Sequence, residues 1–189
     1  MHDSEDDLPR ERLKEVQVVP YDRNWPSLYT AERAKLVMLA GPKFCELEHI
    51  GSTSVPDLFA KPIIDMMAAI ETLDDGSMLV APLASSGYHL IETGMRNRLF
   101  FRKQEGDQAY QLHVVERSTW GDRKERLMRD YLRTHTDAVA AYGDLKRRLA
   151  AQHAEDSLAY TKAKTEFIQF LIDKARAEKG LPSSDVWAD

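Results

Sequence analysis

Between Gly51 and Asp65 the chain reads GSTSVPDLFAKPIID, which gathers into fifteen residues three kinds of group that handle phosphate. A glycine admits close backbone approach, and successive amides with the hydroxyls of Ser52, Thr53 and Ser54 can surround an anion. Lys61 adds a point charge at the entry to an apolar run. Asp65 lies inside that run, IIDMMAAI, where an ionised carboxylate is expensive unless it is paired or holds a cation. Each feature also has a structural reading. The hydroxyls can cap a short helix, and the aspartate can form an internal salt bridge.

Further along, Arg96, Arg98 and Arg102 share strand parity, and Arg129 and Arg133 lie one helical turn apart in RDYLRTH. Asp130 beside them can pair with an arginine and fix its helix against the sheet. Tyr142/Lys146 and Tyr160/Lys164 each place a ring and an ammonium on one helical face. Such a pair can stack a base and meet a phosphate, or cover the core edge with an amphipathic stem, and the structural reading ranks first. The candidate phosphate contacts are Gly51, Ser52, Thr53, Ser54, Lys61, Arg98, Arg129, Arg133 and Lys164. His49 and His113 could join Asp65 as metal ligands, although lone strand histidines are more often hydrogen-bonded core residues.

These residues need strands and helices to position them. EVQVVPY reads as a short edge strand stopped by Pro20. NWPSLYTAERAKLVMLAGP reads as a helix, with Asn24 at its cap, Pro26 in its first turn and Gly41-Pro42 as its stop. KFCELEHI and the almost wholly apolar KPIIDMMAAI are strands, the second central. DDGSMLVAPLASSG is a weaker helix, closed by Gly87. GYHLIE, NRLFFRK and AYQLHVVE are strands, the last two joined as a hairpin through QEGDQ. From Trp120 the chain is helical, with Thr136 as a cap between two segments and a last helix from about Ser157 to Gly180. Tyr21 and Trp25 are expected to pack together.

The 189 residues suit one domain, and no apolar run approaches the length of a membrane-crossing helix. The net charge of −5 argues against broad attraction to nucleic acid or anionic lipid. Cys45 is the single cysteine, so no internal disulfide can form; it reads as a buried strand residue of a cytoplasmic protein. The expected layout is an acidic disordered tail over 1–13, one domain over 14–178 and a loose C-terminal tail over 179–189.

The segments VVPYDRNWP, EHIGSTSVPDLFAKPIIDMMAAI, FFRK, LHVVE, RDYLRTH, YGDLK and YTKAKTEFI, in this order from Val18 to Ile168, resemble the GrpB family. The Gly-Ser pair, twelve intervening residues and a strand Asp are similar to the nucleotidyltransferase-like fold. The resemblance implies an α+β fold: a mixed β-sheet with flanking helices, a helical C-terminal part and a site at the Gly-Ser turn. It also implies a superfamily that transfers nucleotides from nucleoside triphosphates with Mg²⁺. It implies fold better than activity.

Two departures bear on that implication. Active nucleotidyltransferases carry a second carboxylate two residues after the first, so that period-two geometry aims both at one Mg²⁺. Here that position is Met67, an apolar residue as in the family at large, and a thioether is a poor ligand for a hard cation. The family often reads His-Leu-His where this chain has Gln111-Leu112-His113. The expectation is therefore a protein that binds a nucleotide or phosphorylated small molecule. Asp65 would be its catalytic carboxylate and Mg²⁺ or Mn²⁺ its cation, a transition metal ranking behind. The alternative is a noncatalytic binding module that lacks the second carboxylate.

Overall fold

A computed structural model describes residues 16–186. Five strands form one mixed sheet: β1 (Glu46–Ile50), β2 (Ile63–Ile70), β3 (His89–Leu90), β4 (Leu99–Glu105) and β5 (Gln108–Glu116), in the spatial order β1-β2-β5-β4-β3. β2 runs parallel to β5, and every other pairing is antiparallel. The apolar run is thus central, flanked on both sides, as its composition requires. The β4–β5 hairpin turns through Gly106-Asp107, with Gly106 at φ +60°.

Helices α1 (Trp25–Ala40) and α2 (Ser77–Ala84) cover one face of the sheet. Ile64, Met66, Ala68 and Ile70 of β2 point to this face, where they pack with Leu36, Leu79, Leu83 and Phe101. A buried ionic group is embedded here. Glu32 of α1 accepts from Lys103 Nζ at 2.9 Å and from the Tyr88 hydroxyl at 3.0 Å. Tyr21 and Trp25 meet edge to face, with ring centroids 5.2 Å apart.

The opposite face carries Asp65 and receives the C-terminal helices: α3 (Lys124–Thr134), α4 (Thr136–Gln152), α5 (Ser157–Ala163) and α6 (Thr165–Glu178). Their apolar faces enclose Val55 and Leu58 from the β1–β2 connection, with Leu132, Tyr142 and Leu171. α3 is tied to β1 by charge. Arg126 grips both oxygens of Glu48 at 3.0 Å, and Arg129 Nη1 donates to Glu48 at 2.6 Å and to the His49 carbonyl at 2.9 Å. The Arg129–Asp130 pair at 2.7 Å completes the expected brace of helix against sheet.

Several expectations change. Of the expected strand EVQVVPY, the described residues from Val16 on form only an isolated bridge, Val19 to Ala60, because Pro20 ends the pairing at once. Cys45 stands just outside β1 and is partly exposed, beside Glu71. Asn24 and Thr136 provide no side-chain cap, whereas Asp156 caps α5 by accepting from the amides of Leu158 and Ala159. The last helix is two helices that break at Lys164. Residues 182–186 are docked, not loose: Val186 is buried, and Lys124, Gln169 and Arg176 bond to backbone groups of Val186, Ser184 and Pro182. The expected tail over 1–13 lies outside the described residues.

Arg129 is 8% exposed and pairs two carboxylates at once. Replacing it with methionine strands Glu48 and loosens α3 from β1, and is expected to cost about 2–4 kcal/mol of unfolding free energy. Urea melts check this, and a loss below about 0.5 kcal/mol would mean that the brace is incidental.

Candidate functional site

β1 ends at Ile50, directly opposite Asp65 in register, and the chain leaves the strand through Gly51 at φ +69°. A side chain is excluded there twice over: by the backbone conformation, and because a Cβ would lie 2.8 Å from Asp65 Cβ and collide with its Oδ2. The glycine therefore lets the next residues fold as a 3-10 turn, Ser52–Ser54, against the start of β2.

That turn divides its hydroxyls. Thr53 Oγ1 donates to the Ile63 carbonyl at 2.9 Å, and its lone pair faces His49 Nε2 at 3.0 Å. Because the single threonine proton is used at Ile63, His49 Nε2 is the donor in that contact. Ser54 Oγ donates to the Gly51 carbonyl at 2.6 Å, and Arg133 closes a two-pronged contact on the Ser54 carbonyl at 3.0 and 2.7 Å. These groups build the turn. Ser52 alone turns its hydroxyl toward α4, where Lys146 Nζ donates to it at 3.0 Å.

Lys146 is the centre of a cationic cluster that the sequence only hints at. It is 2% exposed, and its ammonium lies 4.5 Å from the Tyr142 ring centroid. Lys164, placed by the α5–α6 break, and Lys61, placed by the β1–β2 connection, sit over one ring, that of Tyr160, at 4.2 and 4.7 Å. Lys61 Nζ also donates to Ser157 Oγ at 3.1 Å. Burial holds the Lys146 ammonium well below the usual lysine range, and the charge of Lys164 adds to the effect. Lys164 itself is drawn down to about 8 by burial and by Lys61, with Asp65 opposing. Burial likewise lowers Lys61.

Asp65 lies within electrostatic reach of this cluster through Lys164. Among the described residues its carboxylate has no hydrogen-bond partner, and burial pushes its pKa up to about 7 against the pull of Lys164 and Arg102. In register it lies beside Gln111, which in turn pairs with Arg102, so this row of the sheet is polar and leads outward to exposed Arg102 and His89. Gln111 stands directly next to the aspartate in register.

The expected metal trio does not assemble. His49 points to the other sheet face, opposite Met66, and stacks on Tyr29 with ring centroids 4.8 Å apart. His113 shares the face of Asp65 but pairs with Met67, leans on Phe100 and lies 3.4 Å from Arg98 Nη1. Burial holds both histidines down at about 4. Among the described residues no three His, Cys, Asp or Glu side chains converge on one point. Met67 is fully buried against Ile50, Val115 and the partly buried Trp120. The donor set thus does not fit a two-carboxylate magnesium clamp.

Nor do the expected arginines gather at Asp65. Arg98 is ion-paired with Glu125 at 2.6 Å, Arg129 with Glu48 and Asp130, and Arg133 holds the Ser54 carbonyl. Of the expected residues, Gly51, Ser52, Lys61, Asp65 and Lys164 come together. Lys146, Tyr142, Tyr160 and Ser157 join them. The i,i+4 Tyr-Lys spacing was the signal for the two helical lysines: the rings are core, and the ammonium groups lie against them.

Asp65→Asn mimics the protonated acid. The folded-state pKa of Asp65, about 7, exceeds its ordinary value, so the acid contributes stability that is present below about 4 and lost as pH rises through about 7. The Tm of Asp65→Asn minus that of the wild type is therefore expected to grow between pH 4 and 7 and then level off. A difference that stays flat across that range would show that Asp65 is not destabilised by burial.

A model of the GrpB protein family matches residues 15–174. The chain is 31% identical over 167 residues to a UPF0157 protein of Bacillus subtilis, covering 88% of this chain and 49% of that protein. It thus spans about half the length of that relative. Crystalline GrpB from Enterococcus faecalis aligns with a TM-score of 0.80 at 29% identity, over 87% of this chain and 99% of that one. The Cid1 poly(U) polymerase, in a structure with Mg and 3′-dATP bound, aligns with a TM-score of 0.53 at 11% identity, over 78% of this chain and 50% of that one. At that identity the likeness speaks for the fold alone. With the family model matched across the whole sheet and into α6, and with a fold shared with a solved member, the chain belongs to the GrpB family and has a nucleotidyltransferase-like fold.

Proposed function

We propose that this protein binds a nucleotide or other phosphorylated small molecule in the crevice between Asp65 and the lysines of the C-terminal helices. One observation carries this reading: Lys61 and Lys164 share the Tyr160 ring, buried Lys146 bonds to Ser52, and among the described residues none of the three is paired with a carboxylate. A fold bears such a cluster at a cost to its own stability, and a phosphate group reverses that cost by charge-assisted hydrogen bonding. The nearby Gln111–Arg102 row gives the remainder of the ligand a polar shelf.

For transfer chemistry the role of Asp65 is general base. A carboxyl group with a pKa near neutrality can take the proton of an acceptor hydroxyl as its oxygen attacks phosphorus and the leaving phosphate departs. The lysines would stabilise the charge on the equatorial and leaving oxygens. A second reading, binding without turnover, is favoured by Met67, whose fully buried side chain stands where active transferases present the second carboxylate. Mass analysis of nucleotide and acceptor mixtures separates the two readings, since only turnover generates a new product.

A nucleoside triphosphate at one hundred times its Kd is expected to add ~2.7 kcal/mol of stability, raising Tm by roughly 5–10 °C for a domain of this size. Lys146→Met and Ser52→Ala are expected to remove most of that shift. If a broad panel of nucleotides and phosphorylated metabolites leaves Tm unmoved, with and without Mg²⁺ or Mn²⁺, the reading fails. Met67→Asp is expected to lose about 2–4 kcal/mol and gain no activity, because the new carboxylate enters an apolar cluster. Intact stability with new magnesium-dependent transfer would overturn that expectation.

A further inference from the structure

A recurring pattern in this fold matches a buried positive charge with carboxylates, although Arg176 is buried on the Pro182 carbonyl. Lys103 is paired with Glu32 at 2.9 Å and Glu105 at 2.8 Å. Arg98 is paired with Glu125, and Arg129 with Glu48 and Asp130. Lys61, Lys146 and Lys164 depart from it. Their side-chain hydrogen bonds go to the hydroxyls of Ser157 and Ser52, and among the described residues none of the three forms an ion pair with a carboxylate. Among the described residues Asp65 is the acid whose charge reaches Lys164, so the cluster there holds more ammonium groups than carboxylates to balance them.

We propose that this pocket binds a linked polyphosphate, as the free ion or as the tail of an ester, through Lys61, Lys146, Lys164 and Ser52 without a divalent cation. The inference rests on the phosphate-site reading above and specifies its chemistry. Magnesium usually serves such a site by neutralising adjacent phosphate oxygens and holding their geometry. Here ammonium groups occupy that role. A cation placed beside Asp65 would lack a second protein carboxylate, because Met67 is sealed among apolar residues, and would face the like charge of Lys164.

Linked phosphates match the pocket better than a single one. The ammonium groups come from three separated parts of the chain and overlie two different rings, so they present several points of contact rather than one. The rings themselves are not platforms for a base. Tyr142 and Tyr160 are buried, and each already carries lysine on its face. Recognition therefore falls on the phosphates. Binding restores charge to lysines that burial disfavours, so it takes up protons and weakens as pH rises through 8 and above.

The probe is inorganic tripolyphosphate, titrated into the intact protein in EDTA and again with excess Mg²⁺, and followed by calorimetry and thermal shift. Saturable binding in EDTA is expected, with affinity reduced by Mg²⁺, which competes for the same oxygens. Orthophosphate should bind at least tenfold more weakly. Lys146→Gln and Lys164→Gln should each weaken tripolyphosphate at least tenfold, whereas the exposed Lys162→Gln should not. Neither lysine leaves a carboxylate partner stranded, so these replacements spare the fold, and Ser52→Ala provides a second, uncharged probe of the Lys146 contact.

Binding that requires Mg²⁺ or Mn²⁺ would overturn the proposal while leaving the phosphate site standing. A response to nucleoside triphosphates but not to tripolyphosphate would overturn it by showing that base or sugar is required. Equal losses in Lys162→Gln and Lys146→Gln would reduce the effect to diffuse charge attraction, and no binding of either probe would remove the site altogether.

Discussion

The close approach of the Gly51 backbone to the Asp65 side chain is the constraint on which the site is built. β1 and β2 are antiparallel neighbours, so the connection between them must reverse direction over the very strand that carries the aspartate. Only a residue without Cβ can make that reversal in contact with the carboxylate. The consequence extends outward. Ser52 is carried to α4, Thr53 and Ser54 lock the turn to β1 and β2, and the chain continues through Val55 and Leu58 into the apolar seam of the helical layer. Sheet, turn and helices are therefore positioned by one contact, and the acid and the lysines are placed by the same geometry.

The two faces of the sheet solve the burial of charge differently. Under α1, Glu32 and Lys103 meet in the interior with Tyr88 as a third partner, and the group behaves as a closed structural unit. On the other face, Asp65 and three lysines are gathered with less pairing, so that each is held away from its ordinary protonation behaviour. Perturbed groups of this kind concentrate where a protein does work, because a structural network of the same residues would settle into pairs. The arginines of β4 and α3 follow the first pattern, and their pairing explains why strand parity and helical spacing alone overstate their part in the site.

Much of the sheet was legible because its signals are local. The apolar run of β2, the Gly106 hairpin and the stop at Gly41-Pro42 rest on patterns a few residues long. The Gly-Ser turn and the strand Asp were legible as a spacing shared with a known fold, but the contact of Gly51 with the Asp65 side chain depends on the pairing of β1 with β2. His49 was misplaced by a single step of alternation: Ile50 opposes Asp65, so His49 must face the other way, and that register is fixed only by pairing. Lys146 illustrates the opposite limit. Its spacing from Tyr142 marked a helical face, but nothing within α4 indicates that the face meets Ser52, which lies 94 residues earlier. The break at Lys164 has no proline or glycine to announce it, so the two helices read as one.

That separation of 94 residues has a kinetic meaning. The β4–β5 hairpin closes through two residues and belongs among the fast local events of folding, whereas the parallel β2–β5 pair must wait for the intervening segment to be organised. The lysines of α4 and of the α5–α6 break arrive from still farther along the chain. The charges that repel one another are therefore brought together after the sheet that supports them has formed, when packing is already in place to oppose their repulsion. In refolding, the lysine cluster is therefore the last part assembled, and the repulsion among its charges bears on the final packing of the helices more than on the collapse that precedes it.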